Sequence, residues 1–256
     1  MILYESLVTA AARPVGFEDS GLDSFAKFKA GFDRWIHSSS QAVAGLPANH
    51  YIVSGITDAF NQTYALYDRI GVFPGEYGYH ELALGNRVTT DLASADVIII
   101  SQPFSATGNC AHQMIAHADS FNKPIFIDCA FFGICLNQSF DFSAYRNIHS
   151  VCFSLSKSFG TGLHRVGLLY TQDPYPVTVY EQWHYPLLSS AEYHYGRLRN
   201  RNPDSLPQSL RDKQLEICSK LAVEPSSTVI FGLDYSERWA HMRRGDVNRL
   251  CISQLF

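Results

Sequence analysis

The stretch from Phe153 to Gly167 reads FSLSKSFGTGLHRVG. Its first half closes an apolar, β-like run, SVCFSLS, and its second half is a small-residue turn leading into another such run, RVGLLYT. Lys157 stands between Ser156 and Ser158, where the strand gives out. A lysine in that setting is either a solvated loop charge or an amine made nucleophilic by desolvation and nearby cations. Arg165 lies eight residues further on.

Outward from this stretch, short apolar runs with turn residues at their ends alternate with longer polar segments. HYIVSG, RIGVF, ADVIIIS, KPIFIDCAF, SVCFSLS and RVGLLYT have strand length, while FNQTYALYDRI and AHQMIAHADSFN carry helical spacing. This alternation predicts an α/β fold with a mostly parallel central sheet covered on both faces. Ligands in such sheets bind beyond the carboxyl ends of the strands, where Lys157 would sit.

Three further segments fall at strand ends. Asp128 closes PIFID, so it is either a turn-capping aspartate or a carboxylate whose burial requires a cationic or proton-donating partner. Ser54, Gly55, Ile56 and Thr57 follow HYIV and open a helix, which suits either a simple cap or a phosphate cup of free amides and hydroxyls at a helix N-terminus. QPFSATGN, from Gln102 to Asn109, is a turn between a strand and a helix.

The bulk properties narrow the classes. With 46% hydrophobic and 17% charged residues and a net charge of −4, the chain is globular and has no electrostatic footprint for nucleic acid. No apolar run reaches the length of a membrane span, and the N-terminal MILYESLVTAAARPVG lacks the basic start of a signal peptide. The six cysteines form no CxxC pair and are expected to be reduced core residues in a cytoplasmic protein. His112 and His117 are spaced five apart, wrong for one helical face, and no metal site is expected. The organisation expected is an N-terminal, partly helical segment over 1–50, a large domain over 51–200, and a short C-terminal α+β unit over 201–256. Within the last, SLRDKQLEICSKLAV is expected as a helix, and STVIFGL and RLCISQLF as strands. YPLLSSAEYHYGRLRNRNPDSLPQ is expected as the boundary.

Together, and in this order, these pieces resemble the fold type I family of pyridoxal-phosphate enzymes, the aspartate-aminotransferase-like group of class I/II aminotransferases. The resemblance covers Tyr51 to Thr171 well and the tail more loosely. It implies a three-layer α/β/α large domain and pyridoxal 5'-phosphate as cofactor, bound by a Schiff base to Lys157 of SLSK. Asp128 would hold the ring nitrogen. Ser54, Gly55, Ile56, Thr57, Ser154, Ser156 and Arg165 would surround the phosphate, and Tyr77 of FPGEYGYH would lie over the ring, with Tyr79 and His80 as alternatives. Arg249 of NRLCIS would grip the substrate carboxylate, or else be a plain strand-edge arginine. The resemblance further implies an amino acid or amine substrate and a homodimer.

The chain departs from the family at two cofactor-binding positions. The asparagine of N-P-x-N-P-T-G is Ser105 here, and the tyrosine three residues after the aspartate is Phe131. Both missing groups donate to the cofactor's phenolic oxygen, so Gln102, Asn109 or a water would have to substitute. An aminotransferase is the first expectation, a lyase or cyclising enzyme on the same cofactor the second, and a non-catalytic binding protein the third. A nicotinamide site in GTGLHRVG is set aside, because the glycine spacing is wrong and the segment leads into a strand.

Overall fold

The strands form where β-branched and aromatic residues follow one another between turn residues. A computed structural model of the chain describes residues 20–161, 164–174 and 185–256. Residues 1–19, on which the signal-peptide expectation rests, Gly162 and Leu163 of the glycine turn, and 175–184 lie outside the described residues.

The first half runs α1 (Ser20–His37), β1 (Val43–Ala44), β2 (Asn49–Val53), α2 (Ile56–Leu66), β3 (Ile70–Val72), α3 (Tyr79–Leu84), β4 (Val88–Thr89), β5 (Val97–Ser101), α4 (His112–Asp119) and β6 (Ile125–Cys129). There follow β7 (Phe140–Asp141), β8 (Ile148–Ser154), the single turn α5 (Leu155–Ser158), β9 (Gly167–Thr171), α6 (Tyr185–Arg199) and α7 (Ser205–Leu221). The chain closes with β10 (Glu224–Pro225), β11 (Phe231–Asp234), β12 (Arg243–Arg244) and β13 (Val247–Cys251).

Among the described residues, seven strands make one sheet in the order β2-β9-β8-β6-β5-β3-β4. Only β9 runs against the others, pairing antiparallel with both β2 and β8. Alternation along each strand sends side chains to two cores. Ile98, Ile100 and Ile127 join Phe28, Phe32 and Trp35 of α1 on one face, together with Ile115 of α4 and Leu187 and Ala191 of α6. Val97, Ile99 and Phe126 meet Ile56, Phe60 and Tyr64 of α2 on the other. The result is the expected three-layer α/β arrangement, with each fully buried aromatic contributing about 1.5–3 kcal/mol of transfer free energy.

Several expectations need correction. The segment taken as a boundary begins with helix α6, which packs on α1. Pro186 falls in its first turn, where a missing N–H costs nothing. A Cβ on Gly31 of α1 would stand 3.0 Å from the Tyr195 ring of α6, so the two helices approach at a glycine. The strand expected from Ser227 begins only at Phe231, because Ser226, Ser227 and Thr228 are bound to the Thr107–Asn109 turn instead. The last strand ends at Cys251, and Ser253–Leu255 form a 3-10 turn. Cys129, Cys135, Cys152 and Cys218 are buried as expected, but Cys110 and Cys251 are exposed; all six are free thiols. Among the described residues no helix is long and apolar enough to cross a membrane.

The tail forms a second, antiparallel sheet in the order β10-β11-β13-β12. It stands against the turn after β3. Gly75 has φ +88, and a Cβ there would lie 2.8 Å from the Ala106 Cβ and 3.3 Å from the Arg244 carbonyl oxygen. Close backbone approach at this glycine lets the tail wall off a cleft.

Candidate active site

Because all sheet strands but β9 share one direction, the carboxyl ends of β2, β5, β6 and β8 lie on one edge. The reversed β9 begins on that same edge. Ser54, Ser101, Asp128 and Lys157 are thereby brought to one side of the molecule, and Arg165, two residues ahead of β9, joins them. The antiparallel return of the chain explains how residues eight apart in sequence become neighbours at a site.

Lys157 sits on α5, whose N-cap is Ser154. The Ser154 hydroxyl accepts the Ser156 amide at 3.3 Å and donates to the Ser156 hydroxyl at 3.1 Å. The turn is pinned from beneath. Leu155 and Ser158 are buried, Phe159 packs 5.6 Å from the Trp35 ring, and Leu155 N–H donates to the Val166 carbonyl at 3.1 Å. With those side chains facing inward, Lys157 faces out. The residue is exposed as a whole, yet its amine is crowded by protein on the sheet side. That burial is the largest influence on it and lowers its pKa; Asp128 opposes the shift, while Arg249 and Arg165 add to it. Its Nζ stands 4.9 Å from the centre of the Phe131 ring.

Asp128 is buried, 5% exposed, and one carboxylate oxygen accepts the Ala130 amide at 2.7 Å. Burial raises its pKa, against the pull of Lys157. No ion pair joins the two. A buried carboxylate in this state has room for one more proton donor.

Gly55 is the N-cap of α2 with φ 83, and no side chain caps the helix. A Cβ on Gly55 would stand 3.2 Å from Arg165 Nη2, and the same nitrogen donates to the Thr57 hydroxyl at 3.3 Å. Arginine, hydroxyl and helix N-terminus therefore meet in one anion-binding cradle. The Ser54 amide is spoken for by the Asp58 carboxylate at 2.9 Å, which leaves its hydroxyl as the group it can offer.

The aromatic candidates separate clearly. His80 is buried, its Nδ1 hydrogen-bonds to the Tyr64 hydroxyl at 2.6 Å, and burial lowers its pKa to about 4. It belongs to the core beside Phe60 and is not free to cover a ligand. Tyr77 is 40% exposed and stacks on Tyr79 at 6.0 Å. Ser105 is buried, and its carbonyl accepts a hydrogen bond from Arg249 Nη1. Of the groups expected to substitute for the missing donors, Gln102 gives its amide to the Ser139 carbonyl at 2.8 Å. Asn109 accepts the Ser227 amide at 2.8 Å. The Gln102 amide is thus committed to the fold, the Asn109 side chain is engaged through its oxygen and keeps its N–H groups, and Phe131 brings no hydroxyl.

Arg249, on β13, lies over the Phe231 ring at 4.4 Å. Its Nε is buried without a hydrogen-bond partner, and burial together with repulsion from Arg244 lowers its pKa to about 10. It opens into a cleft of about 570 Å³ shared with Glu76, Tyr77, Arg244 and His241. Two residues of this site escaped the sequence. Glu76 and Ser101 are bonded to each other beside Asp128; the only hint was an acid in the Pro-Gly turn FPGEYGYH. Among the described residues no group of three metal-ligating side chains occurs.

No protein-family model and no curated protein matches the sequence. Solved structures do. Histidinol-phosphate aminotransferase from Clostridium acetobutylicum is 16% identical with a TM-score of 0.62, over 86% of this chain and 77% of that one. A pyridoxal-phosphate-bound C–S lyase from Staphylococcus hominis is 12% identical with a TM-score of 0.61, over 81% of this chain and 67% of that one. L-threonine-O-3-phosphate decarboxylase from Porphyromonas gingivalis is 12% identical with a TM-score of 0.61, over 90% and 86%. The chain has the fold type I, aminotransferase-like architecture of pyridoxal-phosphate enzymes. These three names cover a transferase, a lyase and a decarboxylase, so the shared fold does not select a reaction.

Proposed function

We propose that the chain is a pyridoxal-phosphate enzyme acting on an amino acid or related amine, with Lys157 as the covalent attachment point and amino-group transfer as its reaction. The observation that carries this is the convergence of Lys157, Asp128 and Arg165 on one sheet edge, with Gly55 shaped to let Arg165 close over the helix N-terminus. The residues fit the group: an accessible amine, a buried carboxylate without an ion-pair partner, and a cradle that any side chain at position 55 would fill.

When bound, the cofactor supplies an aldehyde for covalent attachment and a ring that accepts electrons from a broken bond. Asp128 would accept the ring N–H and keep that nitrogen protonated. Arg165, Thr57 and the first turn of α2 would hold the phosphate, with the hydroxyls of Ser54, Ser154 and Ser156 nearby. Tyr77 would cover one face of the ring. Lys157, displaced by the incoming amine and depressed in pKa, would take and return the substrate's proton. Arg249 would orient the substrate through its carboxylate.

A second reading, a lyase or cyclising enzyme on the same cofactor, is favoured by one observation. Phe131 brings no hydroxyl and Gln102 gives its amide N–H to the Ser139 carbonyl, which removes two of the groups that could donate to the phenolic oxygen. By analogy with the fold the working unit is expected to be a homodimer, and the free thiols suit a cytoplasmic setting.

The test is direct. Purified protein mixed with the cofactor should gain a visible band that borohydride fixes onto the peptide carrying Lys157. Lys157→Ala should stay colourless and lose activity by about 10²–10⁴-fold; an undiminished band would sink the assignment. Conversion to the pyridoxamine form by an amino donor supports transfer, whereas ammonia or carbon dioxide release without that form supports the second reading. A non-catalytic protein would take no label at Lys157.

A further inference from the structure

Glu76 follows the Pro74–Gly75 turn after β3, and the residue is buried, 8% exposed. One oxygen accepts the Tyr77 amide at 2.8 Å and also the Ser101 hydroxyl; the other accepts the Ser101 amide at 2.8 Å. Ser101 ends β5 in register with Asp128 on β6, so the two side chains stand side by side on one face of the sheet; as the rotor stands, the hydroxyl is bonded to Glu76 and not to Asp128, on whose carboxyl it still acts electrostatically. A serine hydroxyl has one hydrogen to give. Two buried carboxylates therefore flank a hydroxyl that can serve one of them at a time.

We propose that Glu76, Ser101 and Asp128 form a hydrogen-bond relay, in which the protonation of Glu76 decides whether Asp128 receives the Ser101 hydrogen. Glu76 is thus a positioning residue that sets the basicity of Asp128. With Glu76 ionised, Ser101 donates to it, and Asp128 faces a lone pair and a second negative charge; both make Asp128 more basic. With Glu76 protonated, its own O–H donates to Ser101 Oγ, which turns its hydrogen to Asp128 and makes that carboxylate less basic. No proton need pass along the chain, only the hydroxyl rotor turns.

The surroundings put this switch near neutrality. Burial is the largest influence on Glu76 and raises its pKa to about 7 despite its hydrogen bonds, with Asp128 adding to the rise. Arg249 of β13 faces it electrostatically, and Lys157 of α5 faces Asp128. Along the cleft stand His80, Glu81, His241, Arg243 and Arg244. The consequence for catalysis rests on the reading above, that Asp128 takes the cofactor's ring N–H: a more basic Asp128 holds that proton more firmly.

The test is a ¹³C carboxyl NMR titration of the full chain without cofactor, the Asp128 signal being identified by its loss in Asp128→Asn. Glu76→Gln and Ser101→Ala should each move the Asp128 midpoint by about half a pH unit or more. Ser101→Thr, which keeps the hydroxyl, should follow the parent. An Asp128 midpoint unchanged in Glu76→Gln or in Ser101→Ala overturns the relay, even if stability falls, since that is what a merely structural role predicts. The two variants cut the relay at different atoms, so failure of one to fold leaves the other to decide. Because no cofactor is present, the result is independent of the borohydride experiment, which alone decides whether Lys157 carries a cofactor.

Discussion

The candidate site has two walls that are built in different ways, and the cleft of about 570 Å³ lies between the second and the turn after β3. One is the carboxyl edge of the seven-stranded sheet, where Asp128, Lys157 and Arg165 each occupy a strand end or the turn beside it, so the ladder fixes their spacing. The other is the four-stranded tail sheet, which reaches the site through Arg249 on the Ser105 carbonyl and through glycine contacts at Gly75 and Gly245. On the proposed function the first wall would hold the cofactor and the second the substrate. Changes in the first should therefore act on cofactor binding and changes in the second on substrate alone.

The largest expected effect beyond Lys157 tests a residue that touches both walls. Glu76 has a folded pKa raised to about 7 from the ordinary carboxylic range near 4.5. The native state thus holds a proton that the unfolded chain has released. Its stabilising contribution is complete below about pH 4.5 and is lost as pH rises toward 7, by about 3 kcal/mol at most. Glu76→Gln should flatten the unfolding profile between those values, measured by urea denaturation, whatever it does to the absolute stability.

Next in size is Asp128→Asn. Loss of a charge-assisted bond worth about 1.5–3 kcal/mol should weaken cofactor binding by about 10–100-fold, read by absorbance titration. Arg249→Gln should leave the cofactor band intact and raise KM for carboxylate-bearing substrates by about tenfold. If it weakens cofactor binding instead, the division between the walls fails. Smallest is Phe131→Tyr, whose added hydroxyl should lower the pH midpoint of the visible band by about one unit or less.

The first wall was legible in the sequence because each of its residues is local to a strand end. SLSK, PIFID and the Ser54–Thr57 turn announce themselves by an apolar run that stops. The main-sheet strands were legible for the same reason. Arg249 was recognisable only by its resemblance to a family motif, since what places it is contact with a loop about 140 residues away. Helix α6 was missed because its aromatic, basic and polar residues show no single apolar stripe. His80 stood as an alternative to Tyr77, three residues apart; only the Tyr64 hydroxyl reveals that it faces the core. Glu76 was illegible because an acid in a glycine turn looks solvated until Ser101 is folded against it.

Arg249 holds position 105 by its main chain. A carbonyl oxygen is the same whatever residue bears it, so the arginine's anchor carries no memory of the side chain there. The chain could exchange asparagine for serine at that place and change what the cofactor feels without loosening what a substrate would grip. On the roles proposed for these residues, a substitution at position 105 would change what a cofactor meets and leave the arginine's anchor in place.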